Sequence, residues 1–396
     1  MLTLEVYKHI KTLLKDRPLA SFEGSDLAQS GTRTFTDGTR SIHVVTGEAE
    51  CRAALTQPEF RQHDFAELLR TALPENDSDS CIAKEFFEPN PINLNGEAHK
   101  AARHEFLLTF NSLRKTTLPE VRSLAERSLN DMVERGNEAS ITDTVTTFID
   151  DVVGCFLSRL GTGISDPALW SGSSTCIFEF FPSAARLRKK EKQANYLLET
   201  LDVASDSAGL DKALVFSLVF QGRDPLIGGL CAFLTDLSRT SAAERDKRLV
   251  DTDGIRLFRA TTPVNYIGRI ATRDTNIAGL NVTKGDEVVV MLSLAVRSGE
   301  RVGLAFGAGS HVCAGQTLAM DIVDCWLEEL RRAKNRINWS ELRPVVSAPG
   351  VFQQFEDVKQ HGPSGSHRET SDDALRGPLC GDRHGEAYFD PRSRFA

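Results

Sequence analysis

The chain has 396 residues, 40% of them hydrophobic, and a formal net charge of −8. A chain of this length and composition can bury a large core, whereas its acidic balance gives no broad electrostatic attraction to nucleic acid or anionic lipid. No nucleic-acid motif occurs, and no window reaches the ~18 apolar residues of a membrane span.

In chain order, the N-terminal stretch from Met1 to His9 lacks the apolar run of a signal peptide, so a cytoplasmic protein that does not use a membrane is expected. Ser41 to Thr46 alternates and is rich in β-branched residues, predicting a strand, and Glu48 to Leu55 predicts a short helix after it. From Gly96 to Gly161 the apolar spacing is helical, with Leu118, Val121, Leu124, Ala125, Leu129 and Met132 on one face. The segment from Ala168 to Leu201 carries Phe178, Phe180, Phe181 and a basic run from Arg186 to Lys190. That run is read as a solvated helix face rather than a binding site.

Lys212 to Leu237 is long and apolar enough for a buried helix, with Phe220-Gln-Gly-Arg-Asp-Pro225 as its break point. Asp274 to Glu287 reads as strand, turn, strand, leading into an apolar strand from Val288 to Leu292. From about His361 to Ala396 the sequence is polar and rich in Gly, Ser, Asp and Arg, so a disordered tail is expected beyond a single domain over 1–360. The eight cysteines, at 51, 81, 155, 176, 231, 313, 325 and 380, have no Cys-x-x-Cys spacing. Reduced, mostly packing thiols are expected rather than a disulfide or zinc framework.

One stretch carries chemistry: Phe306-Gly-Ala-Gly-Ser-His-Val-Cys-Ala-Gly-Gln-Thr-Leu-Ala319. It offers Cys313 from a glycine-rich loop at the start of a helix. Gly307 and Gly309 permit tight turns, and Gly315 lets the following helix approach a flat ligand closely. Backbone N–H groups at the helix N-terminus would favour the thiolate of Cys313. The string resembles the cysteine-ligand loop of the cytochrome P-450 family, Phe-Gly-x-Gly-x-His-x-Cys-x-Gly, at every one of those positions. The resemblance, spanning about residues 30 to 355, implies a mostly α-helical fold with small β-sheets: a triangular haem–thiolate domain with a β-rich N-terminal region. It also implies haem b with Cys313 as the iron ligand, and Phe306, Gly307 and Gly315 bordering the ring.

The same resemblance assigns His99 and Arg103 to the haem propionates, and their spacing of four places both on one helical face. Arg269 and His311 match the other propionate partners. Thr262, Pro263 and Val264 fall in the stretch that borders the distal pocket in relatives, and Phe220 is a further pocket candidate. The segment from Ala168 to Leu201 would hold substrate-covering helices.

Three departures stand out. In the family's Glu-x-x-Arg motif the arginine is matched by Arg259, but Arg256 stands where the glutamate belongs, and Asp253 offers an acid only in a shifted frame. Between Arg297 and Phe306 only eight residues remain of the family's longer meander, whose arginine pairs with that glutamate. Losing both members of a buried ion pair is nearly neutral, whereas losing one costs ~3–5 kcal/mol, so the two changes read as one coupled remodelling of the proximal side. In the central helix most relatives place an acid and then a threonine. Here Asp224 keeps the acid and Pro225 replaces the alcohol, opening the helix and freeing the carbonyl of Gln221. Asp224, Gln221 and Pro225 are therefore the candidate catalytic residues, with protons supplied through Asp224, Gln221, water or the substrate. A simple kink at Pro225 is the alternative.

The resemblance implies a monooxygenase using dioxygen on a small specialised metabolite, with electrons from NAD(P)H through ferredoxin and ferredoxin reductase and with other biosynthetic enzymes as further partners. An alternative keeps the haem but uses peroxide or catalyses a rearrangement or dehydration. A non-catalytic homologue that activates a partner is a third reading, opposed by the intact Cys313, His99, Arg103 and His311.

Overall fold

The structure, a computed structural model, describes residues 4–15, 31–38, 40–72, 80–136, 139–164, 166–170, 184–204, 211–295, 303–342, 345–348 and 351–357. The polar tail, Phe178, Phe180 and Phe181, and two of the eight cysteines, Cys176 and Cys380, lie outside these residues.

A five-stranded sheet in the order β1-β2-β7-β4-β3 forms one side of the molecule. Strands β1 (Thr32–Asp37) and β2 (Arg40–Val45) pair antiparallel, and β2 runs parallel to β7 (Glu287–Val290), with Ile42 opposite Glu287 and Val45 opposite Val290. Strand β7, buried along its whole length, also pairs antiparallel with β4 (Ile267–Ala271), which in turn holds the short β3 (Phe60–Arg61). An uninterrupted Glu-Val-Val-Val suits a strand paired on both sides and covered on both faces. Helix α1 (Leu4–Lys15) buries Val6, Ile10 and Leu14, and α2 (Glu48–Thr56) follows β2. Two hairpins complete the β structure: β5 (Thr275–Ile277) with β6 (Leu280–Val282), turned by Ala278 and Gly279 at φ 50° and 95°, and β8 (Val345–Ala348) with β9 (Gln354–Asp357).

The helical side is organised around α4 (Gly96–Arg135), a single helix of 40 residues. Its second half buries Val121, Leu124, Ala125, Leu129 and Met132 against α5 (Ile141–Arg159) and α11 (Gln316–Ala333). Its first half turns His99, Arg103, Phe106 and Phe110 to a common cavity, one face read at steps of four, three and four. Helix α3 (Phe65–Ala72) and α6 (Ala184–Ala204) lie at the periphery, while α9 (Ala242–Asp251) and α10 (Gly254–Thr261) lead back to β4.

Helix α6 departs from the expected solvated face at one residue. Lys190, at the end of the basic run, is buried and donates from Nζ to Gln193 Oε1 at 2.9 Å, whereas Arg188 and Lys189 are exposed. No described residue of α6 lines the cavity, and residues 171–183 of the expected covering segment lie outside the described residues.

The central helix is widened rather than broken open. Helix α7 (Lys212–Phe216) passes into a π-helical turn at Ser217–Gly222 and continues as α8 (Arg223–Arg239). The wide turn ends just before Pro225, so the proline falls in the first turn of α8, where a missing N–H costs least. A second π-helical turn, Ile82–Phe87, packs beside it, and Phe86 meets Phe216 and Phe220 edge-on at 6.0 and 6.2 Å between ring centres.

Candidate active site

The cysteine loop is built from backbone hydrogen bonds that its glycines permit. Gly307 (φ 74°) donates to Leu304 O at 2.9 Å, Val312 N–H donates to Gly309 O at 3.2 Å, and Cys313 N–H returns to Phe306 O at 2.9 Å. Gly309 (φ 71°) is pressed onto α2: a Cβ there would stand 2.5 Å from Leu55 O. Only glycine combines that backbone angle with that approach. Gly315 is different. A Cβ there would meet Phe110 at 3.9 Å and Cys313 Sγ at 4.0 Å, ordinary contacts, so protein packing alone does not demand glycine.

Cys313 is accessible, its thiol opening onto the cavity. Desolvation by the surrounding protein pushes the thiol pKa up, while N–H groups of Gly315 and Gln316, at the start of α11, and the nearby Arg103 guanidinium pull it down. Those three groups are the partners a thiolate needs. The other described cysteines, at 51, 81, 155, 231 and 325, are buried thiols that form no disulfide among the described residues.

Four basic side chains from three separate elements converge on the same cavity: His99 and Arg103 of α4, Arg269 of β4, and His311 of the cysteine loop. The His99 and His311 rings lie 4.1 Å apart, centre to centre. Burial, together with His99, Arg269 and Arg103, lowers the His311 pKa to about 3, and burial brings Arg269 down to about 10. Arg269 donates from one nitrogen to Gln62 Oε1 at 2.7 Å and to Gly268 O at 2.8 Å. His99 Nε2 is buried and has no hydrogen-bond partner among the described residues. Among the described residues no carboxylate lines the cavity. Desolvated basic groups with an unsatisfied imidazole nitrogen are complementary to buried anions, and a thiol stands beside them. The residues present thus fit a ring carrying carboxylates and a thiolate-seeking metal.

The rest of the lining is mostly apolar, with Phe65, Val152, Phe156, Leu226 and Phe352 among others, and Gln221, Asn90 and Ser217 add polar groups to it. Here several expected residues are displaced. Asp224 does not line the cavity: its carboxylate accepts from Arg223 at 3.0 Å, and Arg223 is clamped onto Asp150 of α5 at 2.6 and 3.1 Å. Helix geometry explains this, since Asp224 is three residues beyond Gln221 across a turn of changed pitch and faces α5 instead. Phe220 likewise belongs to the aromatic packing with Phe86 and Phe216 rather than to the lining. Thr262 (φ 35°) ends α10, its hydroxyl turned back to Arg259 O at 3.2 Å, and lies outside the lining, whereas Pro263 and Val264 are part of it. Gln221 and Pro225 line the cavity.

On the proximal side Arg259 is half-buried in α10, with no ion pair among the described residues, and Arg256 is exposed. Asp253 caps α10 by accepting from Arg256 N–H at 2.9 Å, so it serves the helix and not an ion pair.

Sequence reasoning passed over Asn90, Ser217, Gln62, Phe106 and Phe110. Phe106 and Phe110 were accessible, because they continue the helical face begun by His99 and Arg103. Asn90 sits between Pro89 and Pro91, a chain-breaking signal. Nothing local marks Gln62 or Ser217.

No family model matches the chain. Among characterised proteins, cytochrome P-450-SU2 of Streptomyces griseolus is 26% identical over 339 residues, covering 76% of this chain and 81% of that protein. Vitamin D3 dihydroxylase of the same organism is also 26% identical, covering 72% of this chain and 78% of its own length. The chain is similar to the cytochrome P-450 family over most of its length. Solved P-450 structures show the same fold: the thaxtomin-hydroxylating P-450 TxtC superposes with a TM-score of 0.63 at 17% identity, covering 88% of this chain and 97% of that one. The mycinamicin VIII C21 methyl hydroxylase MycCI of Micromonospora griseorubida gives a TM-score of 0.61 at 16% identity, covering 83% of this chain and 92% of that one. This likeness supports an oxidoreductase of the P-450 type with a haem-iron cofactor. Among the described residues no helix is long and apolar enough to cross a membrane.

Proposed function

We propose that this protein is a monooxygenase that hydroxylates, or otherwise oxidatively tailors, a small specialised metabolite, with electrons delivered from NAD(P)H by ferredoxin-type partners. One observation carries the reading: one cavity is lined by the Cys313 thiol, by four basic side chains and otherwise mostly by apolar groups. Haem held there supplies oxygen activation, with the cysteine thiolate donating electron density. The chain's own work is then to bind and orient. His99, Arg103, Arg269 and His311 hold the propionates, and the N–H groups of Gly315 and Gln316 stabilise the ligand's negative charge. The apolar lining excludes water from a carbon-rich substrate. Vitamin D3 dihydroxylase, TxtC and MycCI, by their names hydroxylases, support the reaction type.

The test is spectroscopic. Reduced protein under carbon monoxide is expected to show the red-shifted thiolate band, and Cys313→Ser to abolish it, while Cys325→Ala leaves it in place. A thiolate band that survives in Cys313→Ser overturns the assignment.

A second reading, the same haem site driven directly by peroxide, is favoured by the diversion of Asp224 into an ion pair and by the absence of a hydroxyl at Pro225. Comparing product formation with hydrogen peroxide against formation with NAD(P)H, ferredoxin and ferredoxin reductase separates the two.

A further inference from the structure

The polar groups of Asn90, Ser217 and Gln221 have a defined hydrogen-bond sense. Asn90 Oδ1 accepts from the backbone N–H of Ile92 at 3.0 Å, which turns its amide nitrogen toward the central helix. There Nδ2 donates to Ser217 Oγ at 2.8 Å. Ser217 spends its single hydroxyl hydrogen on Ala213 O at 2.7 Å, so toward Asn90 it can only accept. Both ends of the Asn90 amide are therefore locked. Its Nδ2 also faces Gln221 Oε1 at 3.5 Å, a long contact whose polarity is nonetheless decided, because a reversed Gln221 amide would set N–H against N–H. The consequence falls on Gln221. Its oxygen turns toward Asn90, and its NH₂ group opens on the cavity, where no group among the described residues accepts from it.

The lining that Gln221 shares includes Leu218, Pro225, Leu226 and Phe65 and, among the described residues, no carboxylate. A donor that a bound substrate shields from water is costly unless it is met by an acceptor, and an apolar surround penalises a charged one. We infer that the Gln221 amide, oriented by Asn90 and Ser217, is a specificity-determining donor for a neutral acceptor oxygen, a carbonyl or hydroxyl, on an otherwise apolar substrate. This rests on the haem–thiolate reading above and adds to it the chemistry of the substrate's polar end. A substrate that presents an ammonium group there would meet donor with donor and is selected against.

The experiment uses the haem-loaded protein and three bicyclic probes of nearly equal shape: tetralin, 1-tetralone and 1-tetralol. Their affinities are read from the spin-state shift of the Soret band. In the wild type the ketone and the alcohol are expected to bind roughly fivefold or more tightly than the hydrocarbon, the worth of one net hydrogen bond. Gln221→Leu removes both advantages. Gln221→Glu, which exchanges donor for acceptor, removes the advantage of the ketone but keeps that of the alcohol, whose hydroxyl can donate. Asn90→Leu reduces the ketone's advantage although Gln221 is intact, because the amide is then free to turn over. Equal affinities for all three probes in the wild type, no saturable shift with any of them, or a ketone advantage that survives in Gln221→Leu each overturn the inference. Every variant is checked for the carbon monoxide thiolate band. Its absence from the wild type strikes the haem–thiolate reading instead, so the two failures are distinguishable.

Discussion

Arg223 and Asp224, neighbours in sequence, are ion-paired at 3.0 Å where the π-helical turn gives way to α8, and the pair is completed by Asp150 of α5. The acid that relatives aim at the haem pocket is here spent on holding two helices together. All three side chains are at least nine-tenths buried, and burial and pairing pull on Arg223 in opposite directions, with its pKa raised on balance.

Removing the arginine should therefore be costly. Arg223→Leu leaves two carboxylates without their cation, and a loss of about 3–5 kcal/mol of stability is expected from denaturant unfolding. Asp224→Asn leaves the Arg223–Asp150 clamp in place. Its turnover is expected to stay within about twofold of the wild type, whereas a positioned general acid contributes ~100-fold or more. A large drop in turnover with unchanged stability would return Asp224 to the catalytic machinery.

Haem retention should depend on the basic side chains. Replacing His99 and Arg103 together by Ala removes two of the four basic groups proposed to hold the propionates, and unpaired buried charges cost several kcal/mol. The ratio of Soret to protein absorbance after purification is expected to fall sharply. An unchanged ratio would mean that this face of α4 does not meet the haem.

The loop glycines are expected to differ in sensitivity. Gly309→Ala forces a side chain into a left-handed backbone region, at ~1–2 kcal/mol, and drives its Cβ into Leu55 O, so both haem content and melting temperature should drop. Gly315→Ala makes only ordinary protein contacts, so the apoprotein's melting temperature should hardly change. Equal losses in the two apoproteins would contradict the contact of loop and α2.

The sheet predicts a pH dependence. Burial alone would raise the carboxyl pKa of Asp286, but N–H groups of Ser41 and Thr283, each at 2.8 Å, and His43 outweigh it and hold the value below 3.8. A carboxylate whose folded pKa is depressed adds stability that is complete above its unfolded value and is lost as pH falls through the folded one. Asp286→Asn should thus destabilise at neutral pH, and the difference from wild type should shrink below about pH 3.8, as followed by denaturant midpoints across that range. A difference that does not depend on pH would assign the effect to shape rather than charge.

Much of this molecule was legible in its residues because the relevant signals are local. The glycine spacing around Cys313 dictates a loop that presents a thiol to a helix N-terminus. The spacing of four between His99 and Arg103 dictates a shared face, and the alternation before Glu48 dictates a strand. What the sequence by itself determined was the presence of a cysteine loop, a basic helical face and a helix with a flaw at Pro225. Which way the side chains at that flaw turn was decided by tertiary structure alone. A π-helical turn changes the angular step per residue, so Gln221 reaches the cavity while Asp224 rotates onto Arg223 and Asp150. Thr262 was drawn away by a positive-φ helix end, and Phe220 by an aromatic cluster assembled from two distant turns. Asn90 and Gln221 are separated by 131 residues, so no local pattern could couple them. Spacing encodes what a residue can share a face with, whereas hydrogen-bond sense and burial depend on partners that only the packed chain brings near.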